Sequence, residues 1–221
     1  MRFFEDIEIG AQREFGSFTF TPDDIKKFAM QFDPQRFHLD EEEGRKSLFG
    51  GLAASGWHVA AVCMKLLVAD GKRLTAEAVA RGEEVAVWGP SPGFRELRWI
   101  KAVLAGDTIS FSSVVETKRT SEKRPEWGIV QARNTGINQR GEKVAVWGPS
   151  PGFRELRWIK PVLAGDTIRF SNQVETKRTS EKRPEWGILQ ARNAGTNQRG
   201  EAVFSFLATA FVPRRSGISG A

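Results

Sequence analysis

Residues 81–139 of this chain recur as residues 140–198, beginning Arg81-Gly82-Glu83 and again Arg140-Gly141-Glu142, with eight differences over the 59 columns. The differences include Ala102 against Pro161, Ser110 against Arg169, Val114 against Gln173 and Ile137 against Thr196, so the second block is a diverged copy. Removing one block leaves 162 residues, a common size for a single domain. The repeat limits what the chain can fold into. Whatever strands one copy forms the other can also form, and the repeated block carries no helical periodicity with which to build a second complete domain. The expectation is therefore one domain over residues 1–221, with one copy at 81–139, the other at 140–198 and a closing strand at 200–212.

Hydrophobic residues make up 40% and charged residues 27%, an ordinary globular composition that argues against disorder. The single cysteine, Cys63, lies in an apolar run, which excludes a disulfide framework and predicts a packing role in a reducing compartment. The opening Met1-Arg2-Phe3-Phe4-Glu5-Asp6 puts charge where a signal peptide needs an apolar stretch. No window approaches the roughly 20 apolar residues of a membrane span. These features predict a cytoplasmic protein without a membrane partner. The net charge of +6 invites a nucleic-acid reading, but the duplication itself inflates it. Lys118, Arg119, Lys123 and Arg124 recur as Lys177, Arg178, Lys182 and Arg183. These residues are expected at solvated hairpin ends, with phosphate on a nucleotide-bearing small molecule as the sharper reading, and no nucleic-acid partner is expected. The tail from Arg214 to Ala221 is expected to be flexible.

Alternation and phenylalanines over Ala11–Phe20 predict a first strand. Thr21-Pro22-Asp23-Asp24 then supplies a cap, a first-turn proline and two carboxylates at the positive end of a helix dipole. Ile25, Phe28, Ala29 and Phe32 form one face of that helix, which Pro34 ends at Asp33. A second helix is expected from about Leu52 to Ala69, apolar nearly all round and thus enclosed by the fold, with His58 as a packing residue. Each copy predicts roughly three antiparallel strands: 94–103, 108–117 and 127–134, and again 153–162, 167–176 and 186–193. A full closing strand, Ala202–Val212, follows only the second copy. After the first copy its place is held by Lys143-Val144-Ala145-Val146-Trp147, cut short by Gly148-Pro149. The parent sheet is accordingly expected to draw on both copies or wholly on the second, with the surplus strands as an antiparallel extension.

The densest chemistry is Phe32-Asp33-Pro34-Gln35-Arg36-Phe37-His38. Asp33 and His38 straddle a helix end, so the chain can turn back and aim a carboxylate and an imidazole at one water, the arrangement that general acid–base catalysis needs. A structural Asp-His pair in a polar loop is the alternative. Downstream, Phe49-Gly50-Gly51-Leu52-Ala53-Ala54-Ser55-Gly56 leads into the apolar helix, and its glycines permit close approach of a backbone or ligand. The two segments, in this order before a strand-rich half, resemble the MaoC-like dehydratase family of hot-dog-fold proteins, which includes (R)-specific enoyl-CoA hydratases. Gln35 stands where that family has Asn, and Arg36 where it has Pro.

The resemblance implies an α+β hot-dog fold, a curved antiparallel sheet wrapped around a long buried helix, here extended by the duplicated three-strand unit. It implies a lyase that hydrates a trans-2-enoyl-CoA or dehydrates a 3-hydroxyacyl-CoA. Asp33 and His38 would activate water and the Gly56 N–H would polarise the thioester carbonyl. Gln35, Gly51 and Ser55 would contact the substrate. Neither metal nor cofactor is implied, and the acyl-CoA thioester and a second copy in a homodimer are the expected partners. Two alternatives remain: a catalytically impaired or engineered tandem-duplication variant of such a protein, and a hot-dog acyl-CoA thioesterase. The latter is disfavoured because no Asp or Glu lies between Ala53 and Asp70.

Overall fold

The computed structural model describes residues 3–89, 93–148, 156–181 and 183–214. The chain divides into two compact units: residues 1–89 with 97–149, and residues 90–96 with 150–221.

In the first unit, strand β1 (Gln12–Thr19) leads to helix α1 (Pro22–Phe32), short helices α2 (Arg36–Leu39) and α3 (Glu41–Lys46), and the 25-residue helix α4 (Gly56–Ala80). The start of α1 follows from local chemistry: the Thr21 hydroxyl accepts the Asp24 N–H at 3.2 Å, Pro22 occupies the first turn, and Asp33 caps the end as expected. Helix α4 departs from expectation at both ends. Residues 52–55 are extended because Leu52, Ala53 and Ala54 pair with the 103–105 segment: Ala54 N–H donates to Val103 O at 2.8 Å and Ala105 N–H to Leu52 O at 2.9 Å. The helix continues to Ala80, supported by Arg73, which bridges Asp70 at 2.6 Å and Glu77 at 2.7 Å. Nor is it enclosed all round. Trp57, Met64 and Val68, on one stripe, are 40%, 50% and 48% exposed.

The strands of this unit are β2 (Gly93–Trp99), of which only residues 97–99 belong here, β3 (Thr108–Thr120), β4 (Gly128–Asn138) and β5 (Lys143–Gly148), with antiparallel order β1-β3-β4-β5. Gly16, at φ 124° beside a register shift, lets β1 bend around Leu66 of α4, which a Cβ there would approach at 3.5 Å. Phe20, Ile25, Val59, Ile109 and Phe111 are fully buried, and Cys63 packs with them. The turn before β3 is pinned by Asp107. Burial raises this carboxyl, but Arg140 at 2.9 Å, the Leu104 N–H and the Gln139 amide together hold it below the usual carboxylate range. The expectation that the closing strand Ala202–Val212 completes the sheet that carries β1 is corrected. That place is taken by β5, from the start of the second copy. The Val144 carbonyl accepts from Ile100 N–H at 2.8 Å, and Val203 accepts from Ile159 N–H at the same distance. The turns that lead into the two strands, 138–142 and 197–201, share the sequence Asn-Gln-Arg-Gly-Glu, and with the common valine they let β5 imitate the start of the closing strand.

The second unit contains β6 (Leu156–Trp158), β7 (Arg169–Thr179), β8 (Trp186–Thr196) and β9 (Ala202–Pro213) in antiparallel order β6-β9-β8-β7, with Gly93 and Phe94 of β2 pairing with Arg157 and Leu156. It holds no helix among its described residues. Residues 153–155 of the expected strand, Lys182 and the tail beyond Arg214 lie outside the described residues. Lys118 at the first hairpin end donates to the Phe4 and Glu5 carbonyls, both at 3.1 Å, and lies over the Phe4 ring, so it is a packing cation.

His58 is buried as the sequence suggests, stacked on Phe28 at 4.6 Å and edge-on to Phe20 at 5.0 Å, and its Nδ1 has no hydrogen-bond partner among the described residues. Burial pushes its pKa below the ordinary histidine value, while Asp24 draws it back. The neutral ring is therefore the folded form. Its contribution to stability is complete above the unfolded-state value of about 6.5 and is lost as pH falls from there toward the lower folded-state value. The urea midpoint should fall between pH 7.5 and 5.5, and His58→Phe should flatten that fall; an unchanged slope in the variant would assign the acid sensitivity elsewhere.

Candidate active site

The end of α1 delivers Asp33, and the turn of α2 returns His38 toward it. The His38 imidazole is buried between the rings of Phe37, at 4.5 Å, and Phe49, at 6.3 Å. Its Nδ1 lies 2.6 Å from the Ala53 carbonyl, which can only accept, so Nδ1 carries the proton and Nε2 is the basic nitrogen. Nε2 faces Asp33 Oδ2 at 3.5 Å, longer than a direct hydrogen bond. The carboxylate is fixed from both sides. Ser55 Oγ donates to Oδ2 at 2.7 Å and Gln35 Nε2 donates to Oδ1 at 2.8 Å. Ser55 in turn caps α4 by accepting the Trp57 N–H at 3.2 Å, so the helix start and the carboxylate share one hydroxyl.

Thus Asp33, His38, Gln35 and Ser55 converge, and the Gln35 amide reaches the carboxylate. Gly51 lies apart from that cluster, against the Leu104 side chain, which an added Cβ would meet at 3.7 Å. Gly56 is the first residue of α4, where helical N–H groups lack intrahelical acceptors, and the Trp99 ring lies over it. A Cβ at Gly56 would sit 2.2 Å from Trp99 Cε2, and Trp99 is itself held edge-on by Trp57 at 5.6 Å. Gly56→Ala should therefore destabilise the protein by about 1–3 kcal/mol, the usual cost of overpacking. A urea midpoint equal to the parent's would show that the indole moves freely.

Three supports leave no local signal in the sequence: the Ala53 carbonyl, which needs no particular side chain; Trp99, distant in sequence; and Gly44, where a Cβ would lie 2.7 Å from the Gly51 and Leu52 backbone. Gly44 lets α3 pass against the glycine loop. Beside this cluster, an open groove of about 440 Å³ runs along Pro34, Gln35, Arg36, Phe37, Glu43, Lys46 and Ser47, and meets the site at Gln35, which bonds Asp33, and at Phe37, which packs on His38. Asp70, within α4, is buried against Arg73 at 2.6 Å and Arg13 at 3.2 Å, which makes it a structural ion pair. Among the described residues no three His, Cys, Asp or Glu side chains come together as a metal site would require, and no helix is long and apolar enough to cross a membrane.

The model of the MaoC-like domain matches residues 6–135, and that of mesaconyl-CoA hydratase matches residues 150–221. An uncharacterized protein of Bacillus subtilis, YdeM, is 31% identical over 140 residues, covering 63% of this chain and 90% of its own length. The mesaconyl-CoA hydratase of Haloarcula marismortui is 26% identical over 148 residues, of which the aligned part is only 40% of that protein. Among solved structures, the MaoC-like dehydratase from Rhodospirillum rubrum is 36% identical with a TM-score of 0.54, covering 67% of this chain and 93% of its own. A protein of Mycobacterium tuberculosis described as having a double hotdog fold superposes on 95% of this chain and 98% of its own, with a TM-score of 0.70 at 13% identity, a likeness of fold alone.

Proposed function

Since this chain belongs to the MaoC-like domain family and has a hot-dog fold extended by a duplicated strand unit, we propose that it hydrates a trans-2-enoyl-CoA, or dehydrates a 3-hydroxyacyl-CoA, at Asp33 and His38. The observation that carries this reading is the fixed tautomer of His38: with Nδ1–H bound to the Ala53 carbonyl, Nε2 presents a lone pair toward an oriented carboxylate. A water held between the two loses one proton to Nε2 as its oxygen bonds C3 of the enoyl thioester. Asp33 orients the second hydrogen. The electron pair of the C2–C3 double bond moves to the thioester oxygen, where the Gly56 N–H stabilises the developing charge. Collapse of that enolate takes the proton from His38 to C2 and returns the imidazole to its neutral form. Gln35 and Ser55 serve by holding the carboxylate.

Loss of the enoyl thioester absorbance on mixing with crotonyl-CoA tests the activity, and hydrolysis to free coenzyme A without hydration would favour the thioesterase alternative. In this reading residues 81–212 extend one catalytic domain. The second unit contains neither of the chain's two histidines and so cannot hold its own Asp-His pair. The partners proposed are the acyl-CoA thioester and a second copy of the chain, supported by the exposed stripe of Trp57, Met64 and Val68 on α4. A dimeric mass by light scattering is expected at micromolar concentration, and a strictly monomeric mass would oppose it. A cytoplasmic setting is proposed from the lone buried thiol of Cys63.

A further inference from the structure

We propose that the uncovered face of the second strand copy is an alternative seat for this chain's own N-terminal layer, β1 with α1–α4, so that the layer exchanges between the two copies. In the first copy the layer is received at defined points. Phe20 N–H donates to Asp107 O and Gly106 N–H to Phe20 O, both at 2.8 Å. Ala54 N–H donates to Val103 O, Ala53 bridges Leu104, and β1 pairs along β3 from Gln12↔Val114 to Thr19↔Thr108. Phe15 stacks on Phe111 at 6.3 Å. Val103 and Phe111 are left 3% and 1% exposed.

The second copy keeps the same receiving residues as Val162, Leu163, Gly165, Asp166 and Phe170, and keeps their geometry. Gly165 has φ 88°, as Gly106 has; Asp166 N–H donates to Leu163 O at 3.0 Å, as Asp107 N–H does to Leu104 O; and Gln198 and Arg199 reach Asp166 as Gln139 and Arg140 reach Asp107. Yet no described residue of its own unit covers it: Val162, Leu163, Phe170 and Val174 are 53%, 62%, 72% and 53% exposed, and β7, the counterpart of β3, is an edge strand exposed along its whole length. The contacts that seat the layer are mostly backbone bonds, indifferent to side chains. The eight differences leave Val162, Leu163, Gly165, Asp166 and Phe170 unchanged.

Two terms set the balance. Seating on the second copy lengthens the connection after Ala80 by 59 residues, from 12 before Gly93 to about six times that, which weights the first copy by roughly tenfold through loop-closure entropy. Against this, the second copy offers the full closing strand, Ala202–Pro213, where the first has only Lys143–Gly148. The opposing terms leave both seats accessible.

The test uses cysteine pairs at directly opposed strand positions, whose spacing suits a disulfide. Ser17 pairs with Ser110 in β3, and Arg169 occupies the equivalent place in β7. In the full chain, S17C/S110C should oxidise within one molecule, and S17C/R169C should do so as well, more slowly by at most about tenfold, as read by non-reducing gels and peptide mapping. Adding Leu163→Glu should abolish the 17–169 bond and spare the 17–110 bond. The proposal is overturned if S17C/R169C stays reduced where S17C/S110C closes, if its bond joins two chains, or if it persists with Leu163→Glu.

Discussion

His38→Ala should lower the turnover of a trans-2-enoyl-CoA by about 10²–10⁴-fold while leaving the fold in place, because the residue supplies the proton-accepting nitrogen of the proposed site. Asp33→Asn should act on the same scale. The amide can still accept from Ser55 and His38 can still bond Ala53, but the oriented negative charge is gone. Asp33 is one-fifth exposed, so its replacement removes little packing. His38 is buried between Phe37 and Phe49, and its alanine variant needs a circular-dichroism control for that reason. Turnover at the parent rate in either variant would end the hydratase reading. Loss of folding in both would assign the pair a structural role.

Deleting residues 81–139 should yield a soluble 162-residue protein at least as stable as the parent and still able to hydrate. The deletion joins Ala80 to Arg140, which repeats the native Ala80-Arg81 junction, and leaves the layer only the second copy to dock on. Val162, Leu163 and Phe170, now exposed, would be buried, each contributing about 1.5–3 kcal/mol relative to exposure. The sheet would then be closed by the whole of β9. One substitution already favours this copy: Asn172, which replaces Ser113, donates to Asn193 Oδ1 at 2.8 Å, whereas Asn134 Oδ1 in the first copy has no partner among the described residues. The urea midpoint and binding of a hydrophobic dye measure the outcome. Aggregation of the shortened chain, or a lower midpoint, would show that the second copy cannot receive the layer.

How far the sequence could be read depends on how local the cause was. Thr21-Pro22 and Asp33-Pro34 bracket α1 through bonds and steric limits that act within four residues, and the structure keeps both ends. The approach of His38 to Asp33 was legible for the same reason, since a helix end and a short turn suffice to bring them together. The start of α4 was not legible. Ala53–Ser55 have helical composition but are held extended by Val103 and Leu104, some 50 residues away. The Trp99 ring over Gly56 and the Ala53 carbonyl on His38 are likewise long-range, and the exposed stripe of α4 depends on which surfaces the strands leave uncovered.

The duplication separates the two kinds of information most clearly. By itself the sequence determined the turns and most of the hydrogen bonds within each copy, and these recur almost bond for bond: Thr117 with Gln131 and Thr176 with Gln190, Arg133 with Glu116 and Arg192 with Glu175. It could not determine which copy lies under the N-terminal layer, because near-identical segments have near-identical propensities and offer that layer the same contacts. Only the tertiary structure decided it, placing Val103 and Phe111 in the core and Val162 and Phe170 in water. Beyond the eight substitutions, the physical difference between the copies lies outside them, in the length of chain that follows Ala80 and in how much closing strand each can recruit.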